Sequence, residues 1–98
     1  MSDDPQSRDI SDAILTRRFE LDDGHVDIHV WAPVAPDDDY ARCDYQISGL
    51  GLGKQRYSAG VDKLQALGGA FLAINTYLYS SDAWKEGRLT WYGMRNLV

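Results

Sequence analysis

Two histidines and an aspartate stand at alternate positions in His25-Val26-Asp27-Ile28-His29. Imidazoles with a carboxylate can ligate a metal or move a proton. On a β-strand alternate residues share a face, so all three side chains point the same way. Distance argues against one shared ion. Residues four apart on a strand are ~13 Å apart, whereas ligands sit ~2 Å from a metal. A metal would need two neighbours of the three and a ligand from the next strand, such as Asp44. His25, Asp27 and His29 are thus weak metal candidates, and the simpler reading is the polar face of an amphipathic strand. No metal site is assigned.

The other chemical signals fail on particular residues. Gly49-Leu50-Gly51-Leu52-Gly53-Lys54 would be a phosphate loop only with Gly at 48 and Ser or Thr at 55, but Ser48 and Gln55 stand there. A dinucleotide fingerprint opens a helix, and this stretch leads into a strand. In Tyr57-Ser58-Ala59-Gly60 the first glycine of a nucleophile elbow is replaced by Arg56. Cys43 alternates onto an apolar face, away from both histidines, and is expected in the core. Asp37-Asp38-Asp39 lacks the spaced ligands of a calcium loop. No catalytic residue and no cofactor is assigned, and catalysis is not the leading expectation.

The elements that would position these residues follow from periodicity. Residues 14–21 alternate, with Leu15, Arg17, Phe19 and Leu21 on one face, and Asp22-Asp23-Gly24 predicts a hairpin. Val26, Ile28 and Val30 alternate with His25, Asp27, His29 and Trp31 as a half-buried strand, closed by Pro33 and Pro36. A third strand spans 40–48, with Ala41, Cys43, Tyr45 and Ile47 inward. A fourth spans 54–59, with Lys54 and Arg56 placed on the outward face. The period then changes to 3.6: Leu64, Leu67, Phe71, Ile74 and Leu78, a stripe broadened by Ala70, Ala73 and Tyr77, predict a helix over 61–80, capped by Asp62 with Gln65 reaching back. Gly68 and Gly69 would each cost it ~1 kcal/mol against Ala. The compensation expected for both is close approach of the helix to the sheet, because Gly68 lies four residues after Leu64 on the expected buried stripe. Residues 81–87 are expected as a plain connection and 88–92 as a last strand with Leu89 and Trp91 inward. The fold class is α+β: a four-stranded antiparallel meander, one long helix on one sheet face, then a fifth short strand.

The chain has 98 residues and a formal net charge of −5. Residues 1–12 hold four aspartates against Arg8, so most of the imbalance is in an acidic tail expected to be disordered, ahead of a single domain at 13–98. Nucleic-acid binding needs clustered Lys and Arg on one face, and the only adjacent basic pair is Arg17-Arg18. No apolar run approaches the ~20 residues of a membrane span. A single cysteine forbids an internal disulfide and suits a reducing cytoplasm.

Gly60-Val61-Asp62-Lys63-Leu64-Gln65-Ala66-Leu67 and Gly87-Arg88-Leu89-Thr90-Trp91, with Arg18-Phe19-Glu20-Leu21 and Ala32-Pro33 upstream, carry a resemblance. Over residues 14–93 the chain resembles a family of small bacterial proteins of unknown function. The resemblance implies the α+β fold and a bacterial cytoplasmic setting, and brings no catalytic residues.

One helix covers one face of a sheet. The other face is expected to present Trp31, His29, Arg42, Arg56 and Tyr92, the mixture of aromatic and arginine side chains enriched in interfaces. The leading expectation is a protein-interaction domain, immunity- or antitoxin-like in size and acidity, binding a protein partner or its own copy. The alternative is a metal- or small-molecule-binding or small hydrolytic protein using the His25-Asp27-His29 face.

Overall fold

The computed structural model describes residues 8–22, 24–50 and 53–90. Five strands form one antiparallel sheet: β1 (Leu15–Leu21), β2 (Gly24–Val30), β3 (Ala41–Ser48), β4 (Gln55–Gly60) and β5 (Leu89–Thr90), in the order β4-β3-β2-β1-β5. Two helices, α1 (Lys63–Ser80) and α2 (Asp82–Lys85), lie between β4 and β5. This is the expected α+β meander with one long helix on the sheet. Among the described residues no helix is long and apolar enough to cross a membrane.

The strands with the cleanest alternation form the centre of the sheet. Ile28 pairs with Ile47 and Val30 with Tyr45, so the apolar sets of β2 and β3 share one face. Val26, opposite Phe19 on β1, extends that face. β5 pairs Leu89 with Leu21 and Thr90 with Glu20. Trp91 and Tyr92, expected in the same strand, lie outside the described residues.

The start of α1 is built as its sequence predicts. The Gln65 N–H donates to Asp62 Oδ1 at 2.8 Å, and the Val61 N–H donates to Gln65 Oε1 at 2.7 Å. Its buried side is rotated from the expected stripe. Ala66, Ala70, Ile74 and Leu78 are buried, whereas Leu64 is 78% and Phe71 40% exposed. The reason is side-chain size. Small residues on α1 meet small residues on β4, and the helix descends on its alanine side to lie across β3 and β4. A Cβ on Gly60 would stand 2.7 Å from the Ala66 nitrogen, and one on Gly69 would collide with the Ser58 hydroxyl. The close approach is made at Gly69, and Gly68 is open, with nothing within 4 Å of a Cβ built there.

Three further expectations are corrected. Arg56 pairs with Tyr45, Ser58 with Cys43 and Gly60 with Ala41, so these residues of β4 face α1 and Arg56 is not on the helix-free face. Neither alternate set in β4 is apolar, so its phase is fixed by packing rather than hydropathy. Residues 81–87 contain α2, opened by Ser81, whose hydroxyl oxygen accepts from the Trp84 N–H at 3.2 Å. Residues 8–12, placed in the loose tail, lie against the sheet and include a 3-10 turn at Ile10–Asp12. Residues 1–7 lie outside the described part.

Because α1 lies over β3 and β4, part of the apolar face beside β1 stays open. A groove of about 430 Å³ runs between Phe71, Ile74 and Asn75 of α1 and Leu15, Phe19 and Val30 of the sheet.

Candidate functional site

The helix-free face collects the polar alternates of the central strands, and its centre is Asp44. The Trp31 N–H donates to the Asp44 carbonyl at 3.0 Å, extending the β2–β3 pairing and setting the indole beside the carboxylate strand. Asp44 pairs with Tyr57 and Gln46 with Gln55, which brings the amide of Gln55 to the same face. Asp44 is 2% exposed, and a buried carboxylate needs partners. Arg42 supplies one: its guanidinium donates to Oδ1 at 2.7 Å through one terminal nitrogen and at 3.2 Å through Nε, and lies 3.9 Å over the Tyr57 ring. Arg8 supplies the other, its Nε donating to Oδ2 at 2.7 Å.

Three further hydrogen bonds hold the backbone of the N-terminal segment. The Arg8 N–H donates to Gln55 Oε1 at 2.8 Å, and Gln55 Nε2 donates back to the Arg8 carbonyl at 2.7 Å. A side-chain amide thus pairs one residue's backbone as a neighbouring strand would. Trp31 Nε1 donates to the Asp9 carbonyl at 2.9 Å. Trp31 is only 2% exposed and His29 only 7%, so neither presents an open surface. The expectation that both are exposed is corrected: the chain's own Arg8 and Asp9 sit on this face.

The structure brings Trp31 and Arg42 together around Asp44. His29 stands beside them, its ring 6.3 Å from that of Trp31, and its buried Nδ1 has no hydrogen-bond partner among the described residues. Arg56 is on the other face, 5.5 Å from the Tyr77 ring, and Tyr92 is outside the described residues. Sequence reading placed Asp44 on this face but missed Arg8, Asp9 and Gln55. The lone base in an acidic segment was the available signal for Arg8. The partners of Gln55 and Trp31 are backbone groups, which leave no mark in residue type.

The weak metal set is dispersed. His25 is half-exposed, with Nε2 3.8 Å from Asp27. Asp27 accepts from Arg18 through both oxygens, at 2.7 and 3.0 Å, and that pairing holds its carboxyl below the usual value. Asp44, the candidate ligand from the next strand, holds two guanidinium groups. Among the described residues no group of three His, Cys, Asp or Glu could hold an ion. Cys43 is buried in the core, as expected. Burial first, and the Asp44 charge second, push its thiol up to about 11, so it is a poor nucleophile at neutral pH. At the start of the glycine-rich connection Gly49 and Leu50 adopt positive φ, 117° and 55°. Asp37 accepts from the Asp39 N–H at 2.8 Å and closes a local turn.

No curated protein and no solved structure matches the chain. A family model described as a domain of unknown function matches residues 15–97, which take in all five strands and both helices. The chain therefore belongs to the domain of unknown function family DUF6968.

Proposed function

We propose that this domain acts by binding protein rather than by catalysis, and that its contact surface is the exposed stripe of α1, with a second copy of the chain as occupant. One observation carries the reading. Leu64 and Leu72 are 78% and 69% exposed, and helical spacing sets them on one side with Gly68 and the half-exposed Phe71. The open Gly68 lies at the centre of that stripe. Its cost of ~1 kcal/mol is not offset by any contact inside the domain. A glycine flanked by leucines lets the backbone of another helix approach closely. The stripe bears no charge, so two copies can meet there despite the chain's net negative charge.

Sedimentation equilibrium tests this. Fully burying one leucine is worth ~1.5–3 kcal/mol, so Leu64→Glu should weaken a reversible dimer at least ~10-fold. A chain that stays monomeric at ~1 mM, so that pairing is worth less than ~4 kcal/mol, refutes self-pairing, as does a dimer indifferent to Leu64→Glu. The setting proposed is a bacterial cytoplasm, consistent with a single buried cysteine.

A further inference from the structure

Opposite α1, residues 8 and 9 are bound to the sheet as a peptide is bound to a receptor. Three separate groups read them. Asp44 Oδ2 takes the arginine side chain, the Gln55 amide takes both backbone groups of that residue, and Trp31 Nε1 takes the next carbonyl. The receiving groups are preformed by the sheet. Asp44 is held by Arg42 through its other oxygen, so Oδ2 remains a buried acceptor that requires a donor. The occupant has no such anchorage. The turn at Ile10–Asp12 buries no residue, and Ile10 is 49% exposed. Residues 8 and 9 are held by hydrogen bonds that each compete with water, so the segment is more readily exchanged than α1. The socket residues Trp31, Asp44 and Gln55 lie within the family match, and the occupant lies before its start at residue 15.

We infer that this face is a recognition site for an extended peptide bearing arginine, occupied in cis by the chain's own Arg8 and Asp9. An arginine is specified over a lysine because Nε–H is the group that meets Oδ2, and lysine has no donor at that position along its stem. A partner's segment would take the same three contacts by displacing residues 8–12. The site is separate from the α1 stripe and does not depend on it.

The test uses the full chain with 15N-labelled tryptophan, following the Trp31 indole resonance. The probe is a synthetic peptide with the sequence of residues 5–12, alongside a version carrying alanine in place of its arginine. Full-length Arg8→Ala should stay folded and bind the arginine peptide saturably, with the indole resonance moving back toward its wild-type position. The wild-type chain, already occupied, should bind at least ~10-fold more weakly, and the alanine peptide should bind Arg8→Ala at least ~10-fold more weakly. Equal response to the two peptides, or no response in Arg8→Ala, overturns the proposal. So does global unfolding of Arg8→Ala, because the segment would then be a fixed part of the fold rather than an exchangeable occupant.

Discussion

On one side of the sheet, α1 closes on β4 through Ala66, Ala70, Gly69, Ser58 and Gly60, with backbone almost against backbone. On the other, two guanidinium groups close on Asp44, the Asp9 carbonyl accepts from Trp31, and the Gln55 amide holds the Arg8 backbone. The first closure rests on contact area. It is distributed over many atoms and tolerates the loss of any one polar group. The second rests on direction, and its value depends on each donor finding its acceptor. Dispersed packing suits a permanent core, whereas a few aligned polar contacts suit something that can be exchanged.

The largest losses are expected where either closure is deepest. Trp31→Ala should cost ~3–5 kcal/mol, because a large buried side chain is removed and the Asp9 carbonyl loses a donor. Leu78→Ala on the opposite side should cost ~2–5 kcal/mol. In a domain holding ~5–15 kcal/mol in total, either change approaches unfolding in a urea titration. A loss below ~1 kcal/mol for Trp31→Ala would mean the indole is in water, and the contrast between the two faces would collapse.

Next in size is the clamp itself. Asp44→Asn should cost ~2–3 kcal/mol, since both arginines lose a charged acceptor and Arg42 is left largely buried. Arg8→Ala should cost only ~1 kcal/mol, because the arginine is one-third exposed while Asp44 keeps its bond to Arg42. The difference between these two is the sharpest measure of the comparison. Equal costs would place Arg8 in the permanent fold.

On the helix, the rotated stripe makes a graded forecast. Phe71→Ala should cost ~1–2 kcal/mol and Leu64→Ala within ~0.5 kcal/mol, well under Leu78→Ala, because the first two are 40% and 78% exposed. Chemical denaturation of the three variants ranks them. A cost for Leu64 equal to that for Leu78 would restore the stripe expected from spacing alone.

What spacing conveyed and what it did not has a physical cause in each case. The alternation in His25–Val30 and Ala41–Ser48 was legible because one face is apolar and the other polar, and the Asp62–Gln65 cap because its residue types act locally. The rotation of α1 was not. Ala70 was on the expected stripe, but hydropathy weights Leu64 and Phe71 above Ala66, whereas close packing favours the smaller side chain. Of the helix-free face, sequence identified Trp31, His29, Arg42 and Asp44 but not their cover. That cover is made of backbone groups and one arginine 36 residues from its partner. Arg56 was misplaced because β4 has no apolar set to fix its phase.

The smallest effect concerns pH, at an edge of the same face. The Arg18 hydrogen bonds hold the Asp27 carboxyl below its ordinary value of 3.8, against a desolvation that raises it. Because the folded chain binds this proton less readily than the unfolded chain, the unfolded state holds more protons through that range and stability rises with pH. The contribution is fully present above the ordinary value and is lost as pH falls through the lowered one. Arg18 is 62% exposed, so water and salt screen the pair and its contribution is small. Arg18→Ala should therefore lie slightly below wild type in stability near neutral pH and converge with it in strong acid. The same gap should shrink in ~1 M salt, where the screening length is ~3 Å. A gap that persists unchanged in acid and in salt would assign Arg18 a packing role, and the ion pair would then contribute nothing measurable to this face.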